Sequence, residues 1–115
     1  MTITHLIQLC NFPKTLIYLN LAHIRLQKCR KCLDLQMLTN LHTLILSKTG
    51  IDHIPRCPKS LRVLDVSSNN ILFPCIYLND EQIDVIVNLE TLVIYGNEQI
   101  TIPKATRIPL HILQF

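Results

Sequence analysis

Two cysteines with the spacing of a metal-binding pair are the most suggestive chemical feature of this sequence. Cys29 and Cys32 form a Cys-x-x-Cys motif, and two thiolates at that spacing bind one tetrahedral zinc ion when a second pair of ligands comes within reach. Cys57 and Cys75 are far apart in the sequence and form no such second motif. The total of five cysteines is odd, which argues against a secreted disulfide framework. We therefore predict free thiols and no metal site, with structural zinc and redox use of the pair as weaker alternatives.

Histidine is the commonest general acid or base, but the five histidines of this chain are scattered. His42 and His111 occupy the same position of a repeat described below, three repeats apart. At the usual strand spacing that separation is about 14–15 Å, too far for shared proton transfer. The glycines are Gly50 and Gly96; each follows a predicted strand, where a positive φ is expected, and neither belongs to a phosphate-binding loop. We predict no catalytic residue and no cofactor, and hence a protein that is not an enzyme.

Charge and hydropathy narrow the classes of partner. The net charge is +3 and the one basic cluster spans only residues 28–31, which is too short for a surface that follows nucleic-acid phosphates. No apolar run approaches the roughly 20 residues of a membrane-spanning helix. Residues 1–10 lack the basic start and cleavage site of a secretion signal. We expect a soluble cytoplasmic protein, with the nucleus as the alternative compartment, that binds neither nucleic acid nor membrane.

One apolar pattern recurs five times. Apolar residues fill the first, fourth and sixth positions of segments that begin at residues 16, 41, 61, 89 and 110, about 20 to 28 residues apart. Residues two apart in a strand point to the same face, so the fourth and sixth positions should both face the core. The predicted core residues of the first four segments are Leu19, Leu21, Leu44, Leu46, Leu64, Val66, Leu92 and Ile94.

An asparagine follows two of these strands. Asn69 and Asn97 occupy the ninth position of the third and fourth segments, where a buried amide can donate to and accept from the backbone of the turn. With these residues the segments resemble leucine-rich repeats, whose consensus is Leu-x-x-Leu-x-Leu-x-x-Asn-x-Leu, over roughly residues 13–115. Ile24 and Thr49 depart from the consensus, and the fifth copy ends at its strand. We expect a structural asparagine ladder of Asn69 and Asn97, weaker cooperativity toward the N-terminus and an exposed final edge.

The resemblance implies an α/β fold: a short leucine-rich-repeat solenoid with a curved parallel β-sheet on its concave face and short helices and extended coil on its convex face. We interpret residues 1–115 as one domain, with residues 1–15 as an N-terminal cap-like segment. Leu35, Leu38 and Leu41 recur at helical spacing and predict a short helix. Residues 79–87 predict a second helix, whereas the prolines in residues 54–58 favour extended chain.

The outward strand positions predict a binding surface. They mix aliphatic residues, tyrosines and single charges, which is typical of a protein-docking face. Tyr18 and Tyr95 are the expected anchors because a tyrosine ring buries a large area at low entropic cost. β-Propensity alone is the alternative explanation for the exposed aliphatic residues. The predicted partner-binding residues are Tyr18, Asn20, Ile45, Arg62, Val63, Asp65, Glu90, Val93 and Tyr95.

The leading functional hypothesis is a protein–protein interaction module, acting as an adaptor, decoy or inhibitor, that binds another protein through the concave face. The first alternative is self-assembly, because the uncapped strand at residues 110–115 offers unpaired backbone to a second copy or to a partner. A small zinc-stabilised domain is the remaining alternative.

Overall fold

In the part of the chain that the structure describes, five short strands form one parallel β-sheet, and they follow the same order along the sheet as along the chain. The computed structural model of the protein describes residues 12–26, 34–52, 54–71, 88–97 and 113–114. The strands are β1 (Tyr18–Asn20), β2 (Thr43–Ile45), β3 (Val63–Asp65), β4 (Thr91–Val93) and β5 (Leu113–Gln114). One copy of the repeat, from its first position to the residue before the next copy, is called a coil below, and its positions are numbered as in the sequence repeat.

The strands are paired in the register of the repeat, so equivalent leucines lie side by side. Leu19 pairs with Leu44, Leu44 with Leu64 and Leu64 with Leu92. The fourth and sixth positions of the first four coils are all buried, which confirms the eight predicted core residues. Full burial of one such aliphatic side chain stabilises a fold by about 1.5–3 kcal/mol. These side chains belong to one continuous aliphatic cluster of buried residues, against which Phe12, Leu16 and Ile24 also pack.

A sharp turn follows each of the first four strands at the same place. The eighth residue of each coil has a positive φ, with values of 66°, 54°, 54° and 72° for His23, Lys48, Ser68 and Gly96. Backbone hydrogen bonds join neighbouring coils there, as in the 2.9 Å bond from Ser68 N–H to the Tyr95 carbonyl. Gly50 also has a positive φ of 79°, so the expectation for both glycines is confirmed. Regular coil-to-coil pairing thus continues beyond the three-residue strands.

The predicted helix at Leu35–Leu41 is wrong: the chain forms two consecutive turns there. Leu38 N–H donates to the Leu35 carbonyl and Leu41 N–H donates to the Leu38 carbonyl, both at 3.0 Å. These bonds span three residues, not the four of an α-helix. Leu35 N–H is held by the carbonyl of Arg56 at 2.9 Å. Because the chain is extended at Asp34, too few residues remain before β2 for a stable helix.

The segment at residues 54–58 is extended, as predicted from its prolines. Arg56 forms a parallel bridge with Asp34 of the preceding coil, and their side chains lie 3.9 Å apart as an exposed ion pair. The two coils are therefore joined at this bridge as well as through the sheet. This stacking is compatible with a small strand-rich solenoid.

Several predictions concern residues outside the described part of the chain. They include the second helix at residues 79–87, the Cys29–Cys32 motif with Cys75, most of the N-terminal segment and most of the C-terminal edge at residues 110–115. Among the residues that the structure does describe, no helix is long and apolar enough to span a membrane.

Candidate functional site

The outward side of the sheet carries the largest exposed apolar side chains near the strands. In β1 to β4 the middle residue is buried and its two neighbours point the other way. Tyr18 is 56% exposed, Tyr95 51% and Ile17 63%. We call this surface the outer face, and its residues are 17, 18, 20, 42, 43, 45, 62, 63, 65, 90, 91, 93 and 95.

The two tyrosines lie toward opposite ends of the outer face. Tyr18 belongs to β1 and Tyr95 follows β4 by two residues. Three strand spacings separate these coils, or about 14 Å. Between them lie the half-buried side chains of Ile45, Val63 and Val93. The outer face therefore has a shallow aliphatic centre with an exposed aromatic ring on either side.

Two polar residues of the outer face hold their own turns. The Asp65 carboxylate oxygen Oδ1 accepts the N–H of Ser67 at 2.9 Å. In the first coil Asn20 Oδ1 accepts the N–H of Ala22 at the same distance. Both residues are at the fifth position, so the same side-chain-to-backbone bond recurs with a charged and with a neutral residue. The two side chains contribute to local structure whatever else they bind.

The side chains of Arg62 and His42 contact atoms of residues close by in the sequence. Arg62 Nη1 donates to the carbonyl oxygens of Lys59 and Leu61, at 2.9 Å in each case. His42 Nδ1 lies 2.9 Å from Thr43 Oγ1. Glu90, at the second position of the fourth coil, is exposed. The strands place Tyr18, Asn20, Ile45, Val63, Asp65 and Val93 on one side of the sheet. Arg62 and Glu90 lie immediately before β3 and β4, and Tyr95 lies two residues after β4. That these nine residues bind a partner remains a prediction.

Behind the strands, Asn69 bonds to two coils at once. Its Oδ1 accepts the backbone N–H groups of Thr49 and Gly50, both at 2.9 Å. Its Nδ2 donates to the carbonyls of Leu46 and Val66, also at 2.9 Å. The side chain is only 5% exposed, so these bonds form where water does not compete. A single amide therefore satisfies turn groups of both the second and the third coil.

Asn97 makes similar bonds one coil later. Its Oδ1 accepts the N–H of Ile71 at 3.0 Å, and its Nδ2 donates to the carbonyls of Val66 and Ile94 at 2.9 Å. Thr49, which the consensus marks as a departure, is 1% exposed, and its hydroxyl lies 2.9 Å from the Leu46 carbonyl. The sequence reasoning missed this part of its role, although a hydroxyl at the ninth position was a usable signal.

The described cysteine is not a reactive group. Cys57 is a free, buried thiol, and its Sγ lies 3.2 Å from the Pro55 carbonyl. Burial, with a smaller contribution from the Asp34 carboxylate, raises the pKa of Cys57 to about 12. The thiolate is the nucleophile and the metal ligand, so at neutral pH this residue has neither property. Within the described ranges, no three histidine, cysteine or acidic side chains come together as a metal site would require.

A cavity of about 360 Å³ adjoins this cysteine, and none of its lining residues belongs to the outer face. Its lining residues are Gln36, Thr39, Cys57, Pro58, Lys59 and Ser60. Ser60 Oγ donates to the Leu41 carbonyl at 2.7 Å, and the thiol is protonated, so the lining offers no activated nucleophile. The outer face is therefore the better candidate for a functional surface.

Comparison of the chain with models of protein families, with curated protein sequences and with solved structures gave no match.

Proposed function

We propose that this chain is a leucine-rich-repeat solenoid that works as a protein–protein interaction module and binds its partner through the outer face. The observation that carries the proposal is the arrangement of the outer face: two half-exposed tyrosines on either side of an aliphatic centre, held in register by paired strands. The repeat assignment is supported by the equal register of the leucines and by the bonds of Asn69 and Asn97.

The chemistry of the outer face favours a protein over other partners. Tyrosines and aliphatic residues with few unpaired charges are typical of the centre of a protein interface. A tyrosine that becomes buried in a complex is among the residues that contribute about 2 kcal/mol or more to binding. A nucleic acid would instead require a row of exposed basic side chains, and the Arg62 guanidinium is occupied by two carbonyls of its own chain.

Affinity purification with quantitative mass spectrometry tests the proposal. The bait is the full chain, compared with a Tyr18→Glu, Val93→Glu double variant. Met37→Glu is the matched control, because Met37 is 62% exposed but lies in the turns after the Asp34 bridge, away from the outer face. Circular dichroism and thermal melting first establish that all three proteins are folded.

We expect a partner that is retained by the wild type and by Met37→Glu but lost by the double variant. A carboxylate placed under an apolar contact is desolvated without a counter-charge, which disfavours the complex strongly. Equal recovery of the same proteins by all three baits would show that the outer face is not the binding surface.

A further inference from the structure

Asp65 lies at the centre of the outer face among aliphatic neighbours. It is in β3, the middle strand of the five, and its Cα partners in β2 and β4 are Ile45 and Val93. Val63, two residues earlier in the same strand, points to the same side. All four side chains are half-buried. A carboxylate is therefore framed on three sides by β-branched residues.

No basic side chain among the described residues pairs with this carboxylate. Its Oδ1 accepts the Ser67 N–H, which leaves Oδ2 and the negative charge available to a partner. Arg62 immediately precedes β3, and its Nη1 donates to the Lys59 and Leu61 carbonyls instead. The charge at the centre of the outer face is thus uncompensated within that part of the chain.

We infer that the partner presents a lysine or arginine side chain, set among apolar residues, to the carboxylate of Asp65. This inference rests on the proposed function and specifies the chemistry of the partner. An apolar surface that covered the aliphatic frame would also cover the carboxylate and remove its water, at a cost that only a charge-assisted hydrogen bond offsets. The methylene stem of a basic side chain lies along Ile45 or Val93 while its head reaches Asp65.

The chain itself supplies the variant that isolates the charge. Asn20 occupies the equivalent position of the first coil, and its amide oxygen makes the same 2.9 Å bond to the N–H two residues on. Asp65→Asn should therefore keep the turn and remove only the charge. The exchange variant Asn20→Asp, Asp65→Asn keeps the net charge of the protein and moves the carboxylate two strands away, about 10 Å, where Ile45 is its cross-strand neighbour but Val63 and Val93 no longer surround it.

The experiment is selection of a random short-peptide library on the immobilised full chain, followed by fluorescence-polarisation titration of the enriched peptides. We expect enriched peptides that contain a lysine or arginine flanked by apolar residues. They should bind Asp65→Asn about tenfold more weakly, the loss expected for one hydrogen bond to a charged group. The exchange variant should not restore binding, and added salt should weaken binding to the wild type more than to Asp65→Asn.

Enriched peptides without basic residues, or peptides that bind Asp65→Asn as well as the wild type, would overturn the inference. If such peptides still lose binding to the Tyr18→Glu, Val93→Glu variant, the outer face remains the binding surface and only the basic contact is wrong. If no peptide is enriched, or if the enriched peptides ignore the outer-face variants as well, the inference and the proposed function fail together.

Discussion

The first coil and the third coil stabilise the turn after the strand with different hydrogen bonds. In both, the carbonyl of the sixth residue must find a donor behind the strand. In the first coil the Leu21 carbonyl accepts the backbone N–H of Ile24 at 3.2 Å. In the third coil the Val66 carbonyl accepts the side-chain amides of Asn69 and Asn97 at 2.9 Å. With an apolar residue at the ninth position, the carbonyl is bonded within its own turn. With asparagine there, the carbonyl is bonded by side chains of its own coil and of the neighbouring coil.

The ninth residue therefore decides whether the hydrogen bonds of a turn stay within its own coil or also reach the neighbouring coil. Asn69 bonds to the second coil and Asn97 to the third, so the second, third and fourth coils are linked by side chains as well as by the sheet. The first coil is joined to the second by backbone bonds, such as that from Leu26 N–H to the Thr49 carbonyl at 2.9 Å, and by the exposed ion pair of Asp34 and Arg56, which water screens far more than the buried amide bonds. In a linear stack each coil depends on its neighbours. We therefore expect the first coil to open more readily than the third.

Truncation of the central leucine should have the largest effect on stability. Leu64 is 0% exposed in the middle strand, whereas Leu19 is 8% exposed in the strand at the end of the sheet. Leu64→Ala should lower the free energy of unfolding by about 2–5 kcal/mol through lost burial and the cavity left behind. Leu19→Ala should cost less. Urea denaturation followed by circular dichroism measures both values, and equal losses would contradict the difference between the coils.

Removal of the Asn69 amide should rank next. Asn69→Ala leaves the Thr49 and Gly50 N–H groups without their side-chain acceptor, and each buried unsatisfied group carries a penalty, so we expect a loss of about 1–3 kcal/mol. Ile24→Ala, at the same position of the first coil, removes only half-buried apolar surface and no hydrogen bond. Native-state hydrogen exchange should show faster exchange at Thr49 and Gly50 in Asn69→Ala. Unchanged exchange there would mean that the amide does not link the coils.

The sheet and its core could be predicted from the sequence because strand periodicity is a local signal. The alternation that places Leu44 and Leu46 on one side needs no knowledge of the rest of the chain, and the structure buries both residues completely. The helix at Leu35–Leu41 could not be excluded in this way. Its outcome depended on the Leu35 N–H bond to Arg56, a contact between coils that helical spacing does not contain.

The sequence could predict which residues form the outer face, but not the hydrogen bonds that their side chains make. Its residues follow from the strand positions, so Tyr18 and Asp65 could be named in advance. Asp65 accepts a hydrogen bond from its own turn, and Arg62 donates to backbone carbonyls. Both bonds depend on side-chain conformations, which residue spacing does not specify. The polar role of Thr49 was missed for a related reason, since the consensus names asparagine, whereas a threonine hydroxyl can also donate to the carbonyl of the sixth residue.

Gly96 lies at the eighth position of the fourth coil, where the neighbouring coil comes close. Its φ is 72°, and an added Cβ would lie 2.9 Å from Ser68 Oγ and 3.1 Å from Ser68 Cα. Gly96→Ala combines a left-handed conformation with a clash against the Ser68 hydroxyl and a tight approach to the Ser68 backbone, so it should destabilise by about 1–2 kcal/mol. Lys48→Gly, at the equivalent position with φ 54°, is the matched opposite and should be neutral or slightly stabilising. Thermal melting of both variants is the measurement, and a wild-type melting temperature for Gly96→Ala would contradict the close approach.

Thr49→Val should have the smallest effect. It tests a ninth position that carries a hydroxyl, which is intermediate between the apolar residue of the first coil and the asparagine of the third. The variant keeps the shape and burial of the side chain and removes the hydroxyl that lies 2.9 Å from the Leu46 carbonyl. That carbonyl still accepts from Asn69 Nδ2 at 2.9 Å, so we expect a loss of only about 0.5–1 kcal/mol. In the Asn69→Ala background both donors are absent, and the same change should cost more. A double-mutant cycle by urea denaturation measures this coupling, to which the direct 3.2 Å contact between Thr49 Oγ1 and Asn69 Oδ1 also contributes. Strictly additive losses would contradict the expected net coupling of the two residues.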